Sequence, residues 1–310
     1  TRVRSSAASD VYKRQGVNRR RWKHLVKDSE NAFSPAPIDE VVVGQCNVHR
    51  LLVGLPNDTL TMMLLRLWGL PGLALQGDPM QFDRWLWFRR QLHPGPGRLL
   101  DAGSGSGPFS LLAARLGNET FGISTNGASN AKAMQRATAL GIERVRFVTA
   151  DLRDLDRLRD RIGCFDQIAC LEVIEHVLDD EKLLHDLASV LKPGGRMILS
   201  TPYEHYRRLL TDRLSLTEDG GHVRWGYTHA RIVELFTKNG IEPERTEYIS
   251  GVTSQLITNG MRWLRLHGMP TKLAWLVTLP PRLLVVFDRP LTALCRYPYA
   301  TIGVVGVKRG

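Results

Sequence analysis

The residues best placed to cradle a ligand lie between Leu99 and Ser110. Here Asp101 is followed by Gly103, Gly105 and Gly107, with Ser104 and Ser106 interleaved. Two aliphatic residues lead into this segment and the helix-competent run Phe109 to Ala114 leads out of it, which reads as strand, tight loop, helix. Without Cβ atoms the loop can bend sharply, and a ligand can lie directly on its peptide planes. A phosphate-binding P-loop needs a lysine after its last glycine, and none is present. A dinucleotide loop needs its third glycine where Pro108 stands. It also needs an acid at the end of the next strand, which instead closes Gly122-Ile123-Ser124.

A loop has to be held by a sheet, and from Arg98 onward the chain alternates regularly. Strands are predicted over 99–102, 119–124, 145–149, 165–171 and 196–201, with helices between them. A helix over 228–238 and strands over 244–250 and 301–308 complete the pattern. This is an α/β chain with a doubly wound, mostly parallel seven-stranded sheet, which places ligands at the strand C-termini. The division expected is a non-native or disordered leader (1–15), an N-terminal extension (16–81), a ligand-binding core (82–202) and a C-terminal part (203–310). That last part carries two variable insertions, 203–227 and 251–300. In the extension a short strand (Val41-Val42-Val43) and a helix (Asp58 to Trp68) are expected, followed by an aromatic helix over Phe82–Phe88 whose tryptophans pack in the core.

Further polar residues fall at the predicted strand ends. Ser124, Thr125 and Asn126 end the second strand, Asp151 the third, Leu171 and Glu172 the fourth. Glu175, His176 and, further on, His222 are candidates for acid–base work. The loop form E/D-x-G-x-G-x-G suits S-adenosylmethionine (SAM), a sulfonium without phosphates, though on its own a glycine turn without ligand stays open. With FDQIACLEVIEHV and LKPGGRMILSTP the chain resembles the class I SAM-dependent methyltransferases over about residues 82–250 and the closing strand. Within that family it is similar to the small-molecule branch that includes ubiquinone-biosynthesis O-methyltransferases. The resemblance implies that Asp101, Gly103, Ser104, Gly105 and Gly107 line the methionine and ribose. It implies that Asp151 and Leu152 read adenine, and that Leu171 and Glu172 face the methionine end. The family's acidic ribose ligand is missing, so Ser124, Thr125 or Asn126 must replace it without a charge-assisted hydrogen bond. The GIST sequence is nearer to cyclopropane-forming and sterol C-methyltransferases, which keeps carbon methylation open behind O-methylation.

An alcohol or phenol acceptor needs a base, with His176 the first candidate and His222 the second. Glu175 either caps the following helix or meets the acceptor. The two insertions would set acceptor choice. The second mixes Leu, Val and Trp with arginines, fitting a lid over a hydrophobic acceptor, a face on anionic lipid, or ordinary packing. A binding protein that keeps SAM without turnover is the rival from another class.

Composition narrows the partners. The net charge of +11 is concentrated at the start, where residues 1–30 carry nine Lys/Arg against three acids. With no basic stripe interleaved with aromatics, nucleic acid is not expected. Four scattered cysteines, without C-x-x-C or histidines at ligand spacing, predict no metal and reduced, mostly buried thiols. The longest apolar stretch, Leu60 to Leu75, is broken by Arg66 and Pro71 and falls short of the ~20 residues of a membrane span. A cytoplasmic protein is expected, with peripheral membrane contact open.

Overall fold

The computed structural model describes residues 69–71, 77–210 and 213–310. The leader, the Val41–Val43 strand and the Asp58–Trp68 helix lie outside the described residues.

Helix α1 (Pro79–Gln91) begins where Asp78 accepts from the Gln81 amide at 2.9 Å and Pro79 supplies a preset φ. Then follow β1 (Arg98–Ala102), α2 (Pro108–Arg115), β2 (Glu119–Ser124), α3 (Gly127–Ala139), β3 (Val145–Thr149), α4 (Leu155–Ile162), β4 (Phe165–Leu171), α5 (Asp180–Ser189) and β5 (Leu191–Pro202). After the first insertion come α6 (His229–Lys238) and β6 (Ile241–Ile249). The second insertion carries α7 (Val252–Leu266), α8 (Thr271–Val277), a 3-10 helix (Pro280–Phe287) and α9 (Asp288–Leu294), and β7 (Thr301–Lys308) closes the chain.

The seven strands lie in the order β3-β2-β1-β4-β5-β7-β6, with β7 antiparallel to both neighbours and the rest parallel. Alternate residues feed opposite layers. Leu100, Ile168 and Leu199 pack with Leu183, Leu187, Ile232 and Phe236 of α5 and α6. Leu99, Ala169 and Ile198 pack with Trp87, Phe88, Leu111 and Ala133 of α1, α2 and α3. Sheet positions covered on both sides explain why Leu99–Ala102 of β1 and Gln167–Leu171 of β4 are buried without interruption. Trp87 and Phe88 are fully buried, so those aromatics are packing residues as expected.

Three expectations need correcting. β5 starts at Leu191, not Arg196: the strand runs through Pro193-Gly194-Gly195 as an irregularity, its pairing with β4 jumping from Leu191 to Arg196. Gly194, at φ 73, makes that deviation possible. β6 starts at Ile241 rather than Glu244. It lies at the sheet edge, so Pro243 lacks a donor where none is required, and the register slips there. Of the described cysteines only Cys170 is buried; Cys164 and Cys295 are exposed thiols.

The second insertion closes on its own start. Asp288 accepts from the amides of Gly251 and Thr253 at 2.5 and 2.7 Å, and Thr292 Oγ1 accepts from Val252 N at 2.8 Å. The carboxylate of a residue near the end of the insertion thus caps its first helix. Among the described residues no helix is long and apolar enough to cross a membrane.

Gly303 of β7 lies under Trp87, and a Cβ there would stand 2.5 Å from the indole Cζ2. Gly303→Ala is therefore expected to lower stability by ~1–3 kcal/mol, read as a shifted urea midpoint at unchanged slope.

Candidate functional site

The loops after β1, β2, β3 and β4 emerge along one edge of the sheet, because these strands are parallel and in near register: Asp101 pairs with Gly122 and with Ala169. Between β1 and β4 the connections leave in opposite directions, which opens a crevice.

The glycine loop forms one wall. Gly103, Gly105 and Gly107 have φ of 91°, 51° and 80°, left-handed values open to glycine at little cost. The amides of Gly103 and Ser104 both donate to the Ile123 carbonyl at 2.9 Å, so the loop is tied to the end of β2. Arg136 of α3 donates to the carbonyl and hydroxyl of Ser106, fixing its outer side. A Cβ at Gly103 would meet Val173 Cγ2 at 2.3 Å, and one at Gly107 would meet Ala133 Cβ at 2.8 Å, whereas one at Gly105 would enter open space. Asp101 lies buried beneath the loop, accepting from the Ser110 hydroxyl at 2.5 Å, and burial pushes its carboxyl up to about 6. Ser104 Oγ is buried with no hydrogen-bond partner among the described residues.

Along the edge the expected ligand positions differ in availability. Asn126 caps α3, its Oδ1 accepting from Ser129 N at 3.1 Å, so that oxygen is committed to the fold. Ser124 Oγ accepts from Asn126 N at 3.2 Å and keeps its own proton to donate, while Thr125 is exposed. Asp151 accepts from the Arg153 amide at 2.9 Å and pairs with its guanidinium, which holds the carboxyl below its usual range against the opposing effect of burial. Leu152 is buried in the short 3-10 helix that follows.

Leu171 and Glu172 end β4 on the opposite wall. Glu172 sits at φ 55, unusual for a residue with a side chain. Its amide donates to the Ser200 carbonyl at 2.9 Å, its Oε1 accepts from Ser200 Oγ at 3.0 Å, and Arg84 of α1 stands 3.7 Å from Oε2. Glu175 is wholly buried. Its Oε2 accepts from Thr201 Oγ1 at 3.1 Å, while Oε1 has no hydrogen-bond partner among the described residues. Burial first, and the neighbouring Glu172 carboxylate second, hold it well above the ordinary glutamate range.

His176 and His222, far apart in sequence, meet edge to face with ring centroids 4.6 Å apart. Segment 213–227 is pinned over the turn after β4. Val223 N donates to the Glu175 carbonyl at 2.9 Å, Leu178 N donates to Glu218 at 2.7 Å, and Arg224 donates to the Val177 and Leu178 carbonyls while pairing with Asp180. His176 Nδ1 lies 3.1 Å from the Gly221 carbonyl, which can only accept, so Nδ1 carries the proton and Nε2 is left basic in the neutral ring. That Nε2 is 3.9 Å from Glu175 Oε1.

All three acid–base candidates therefore share one place. Their ligand atoms lie within 4.8 Å of one another, a spacing at which Glu175, His176 and His222 could also hold a cation. Sequence spacing missed this because His222 arrives from a separate segment. Arg84, Thr201 and Arg224 were missed for the same reason. A shallow depression bounded by Glu242, Glu244, Val307 and Arg309 lies at the other end of β6 and β7 and shares no residue with this site.

The profile of a methyltransferase-domain family matches residues 80–245, more than half of the chain. The chain belongs to that family. Among curated methyltransferase relatives, the ubiquinone biosynthesis O-methyltransferase of Xanthomonas axonopodis pv. citri is 34% identical over 111 residues, 36% of this chain and 45% of that protein. The chain spans less than half the length of the first curated relatives it matches. Among solved structures, the cyclase SpnF superposes with a TM-score of 0.51 at 19% identity, covering 73% of this chain and 80% of that one. Phosphoethanolamine N-methyltransferase 2 of Haemonchus contortus superposes at 0.50 and 17% identity, covering 74% and 53%. These two show the shared methyltransferase fold.

Asp101 supplies a pH test of the loop's foundation. Its folded pKa, about 6, lies above the ordinary aspartate value of 3.8. The folded state therefore keeps a proton that the unfolded chain has lost: stability is full below that lower value and declines as pH rises to about 6. Asp101→Asn is expected to remove this decline and to stabilise the ligand-free protein near pH 7.5 by ~2–3 kcal/mol. Urea midpoints at several pH values would measure it, and an unchanged pH slope would contradict it.

Proposed function

We propose that the chain is a SAM-dependent methyltransferase acting on a small hydrophobic or amphiphilic acceptor, with O-methylation ahead of C-methylation. The observation carrying this reading is the bare, left-handed glycine loop facing a glutamate–histidine cluster across one crevice. The O-methyltransferase names of the curated relatives support the oxygen acceptor, and the SAM-bound state of the Haemonchus structure supports the ligand. The same fold also carries the cyclase SpnF, so the fold alone does not set the reaction and the methyl-transfer reading rests on the site.

Bound SAM supplies an already activated methyl group, so the protein's work is alignment and proton handling. Gly105 leaves room for a ligand to touch backbone, Ser104 offers a buried hydroxyl, and Ser124 and Thr125 offer donors where a ribose would lie. At the other wall, His176 Nε2 is the lone pair that accepts the acceptor's hydroxyl proton, with Nδ1 held by Gly221. Burial, and then the Glu172 carboxylate, hold the Glu175 carboxyl well above its ordinary range, which favours its protonated, donating form. The crowding of Glu175, His176 and His222 favours a second reading, in which the three would hold a divalent cation whose Lewis acidity would serve an oxygen acceptor. An acceptor of amphiphilic type brings peripheral contact with a membrane into the reading. A SAM-binding protein without turnover is the remaining alternative.

Calorimetric titration with S-adenosylhomocysteine tests the class: micromolar binding, ~8 kcal/mol, is expected. Gly105→Ala should weaken it at least about tenfold while costing the fold only ~1–2 kcal/mol for a left-handed alanine. A folded protein that does not bind overturns the proposal. With labelled SAM and phenolic acceptors, His176→Ala should lower turnover about a hundredfold or more and leave the affinity for S-adenosylhomocysteine unchanged. Loss of activity in EDTA, restored by one divalent cation, would select the second reading over the first.

A further inference from the structure

We infer that the second insertion, residues 251–300, is a docking surface for anionic lipid bilayers. The 3-10 helix Pro280–Phe287 has the sequence PPRLLVVF, yet none of its residues is buried. Leu283 and Val286 are 76% and 77% exposed, and Phe287 is 57% exposed. On the helices that pack with this segment, Leu266 and Leu294 are 74% and 80% exposed and Trp263 is half exposed. A lone exposed leucine needs no explanation, but a helical unit with its largest apolar side chains outward marks a contact surface.

Charge identifies the occupant. The insertion carries Arg262, Arg265, Lys272, Arg282, Arg289 and Arg296 against a single acid, Asp288. That acid is buried as the cap of α7, so no carboxylate of the insertion faces outward. Exposed apolar residues among cations, with no exposed acid of the insertion itself, match a monolayer of acyl chains below anionic headgroups. A second copy of the chain fits less well, since a two-fold contact would set one cationic rim against another.

Topology gives the surface a use. Ile249 of β6 and Pro202 of β5 both pair with Thr301 of β7, so the insertion leaves the sheet at the edge that carries Glu172 and Glu175. A bilayer docked there delivers an amphiphilic acceptor from the membrane side of the site. This deepens the proposed acceptor class and rests on that reading for its purpose, but its test reads binding and not methyl transfer.

The test is co-sedimentation of the full chain with phosphatidylcholine vesicles, with and without phosphatidylglycerol. Expected are binding only with the anionic lipid, weakening as salt rises. Leu283→Ser, Val286→Ser and Phe287→Ser together should reduce the partition coefficient at least about tenfold, and Arg262→Gln with Arg265→Gln should lower it several-fold. All five side chains are exposed, so thermal unfolding of both variants should match the parent; the arginine pair also serves as a second readout should the triple variant misfold. No binding, equal binding to neutral vesicles, or undiminished binding by both variants overturns the proposal. So does a dimer that the triple variant converts to monomer without any lipid binding, which would assign the face to a second copy.

Discussion

The structure depends on a backbone that visits left-handed conformations three times between β1 and α2. A side chain at such a residue costs roughly 1–2 kcal/mol, so the loop is written in glycine. The three glycines nevertheless do different work. Gly103 lets Val173 pack onto the loop, and Gly107 lets α3 and Phe147 approach; Gly105 touches nothing and leaves the outer surface bare. Through the Gly103–Val173 contact the loop is in van der Waals contact with the segment that carries Glu172, Glu175 and His176. The two walls of the crevice are therefore one packed unit, and a shift in either is felt by the other.

The second wall stores some cost of its own. Glu172 is held in a left-handed conformation and Glu175 is buried with one oxygen lacking a hydrogen-bond partner among the described residues, arrangements that persist only when the surroundings over-determine them. Here Ser200, Thr201 and Arg84 hold the first two carboxyls, while Arg224 and Glu218 hold the segment that brings His222. Arg84 comes from α1, ahead of the sheet in the chain. The N-terminal helix is thus part of the site's electrostatics, and Asp83 beside Arg84 faces Ser250 and Ser254 at the base of the second insertion, half-buried, with desolvation pushing its carboxyl up to about 6.

Much of the sheet was legible because its information is local. Aliphatic runs, glycine turns and helix caps such as Asn126, Asp179 and Thr228 are written within a few residues of the elements they define. The glycine loop was legible for the same reason. The errors fell where tertiary context overrides a turn signal: Pro193-Gly194-Gly195 reads as a break but is carried inside β5, because β4 continues to pair on both sides of it. The meeting of His176 with His222 was beyond sequence reading, since it is specified by Arg224 and Glu218 reaching back over some 40 residues.

The antiparallel β7 has a consequence beyond closing the sheet. Because it lies between β5 and β6, β6 points the same way as the first five strands and ends at the ligand edge. Fifty residues can therefore be inserted before β7 without disturbing the sheet, and they emerge beside the site. The cap that Asp288 places on α7 makes that insertion a closed unit, whose two ends are joined by hydrogen bonds from the Gly251, Val252 and Thr253 amides. A unit anchored in this way can present its apolar residues to the outside without the sheet's core being opened. The parallel strands fix the edge at which their loops meet, and the final antiparallel strand lets a segment that the core does not constrain emerge beside that edge.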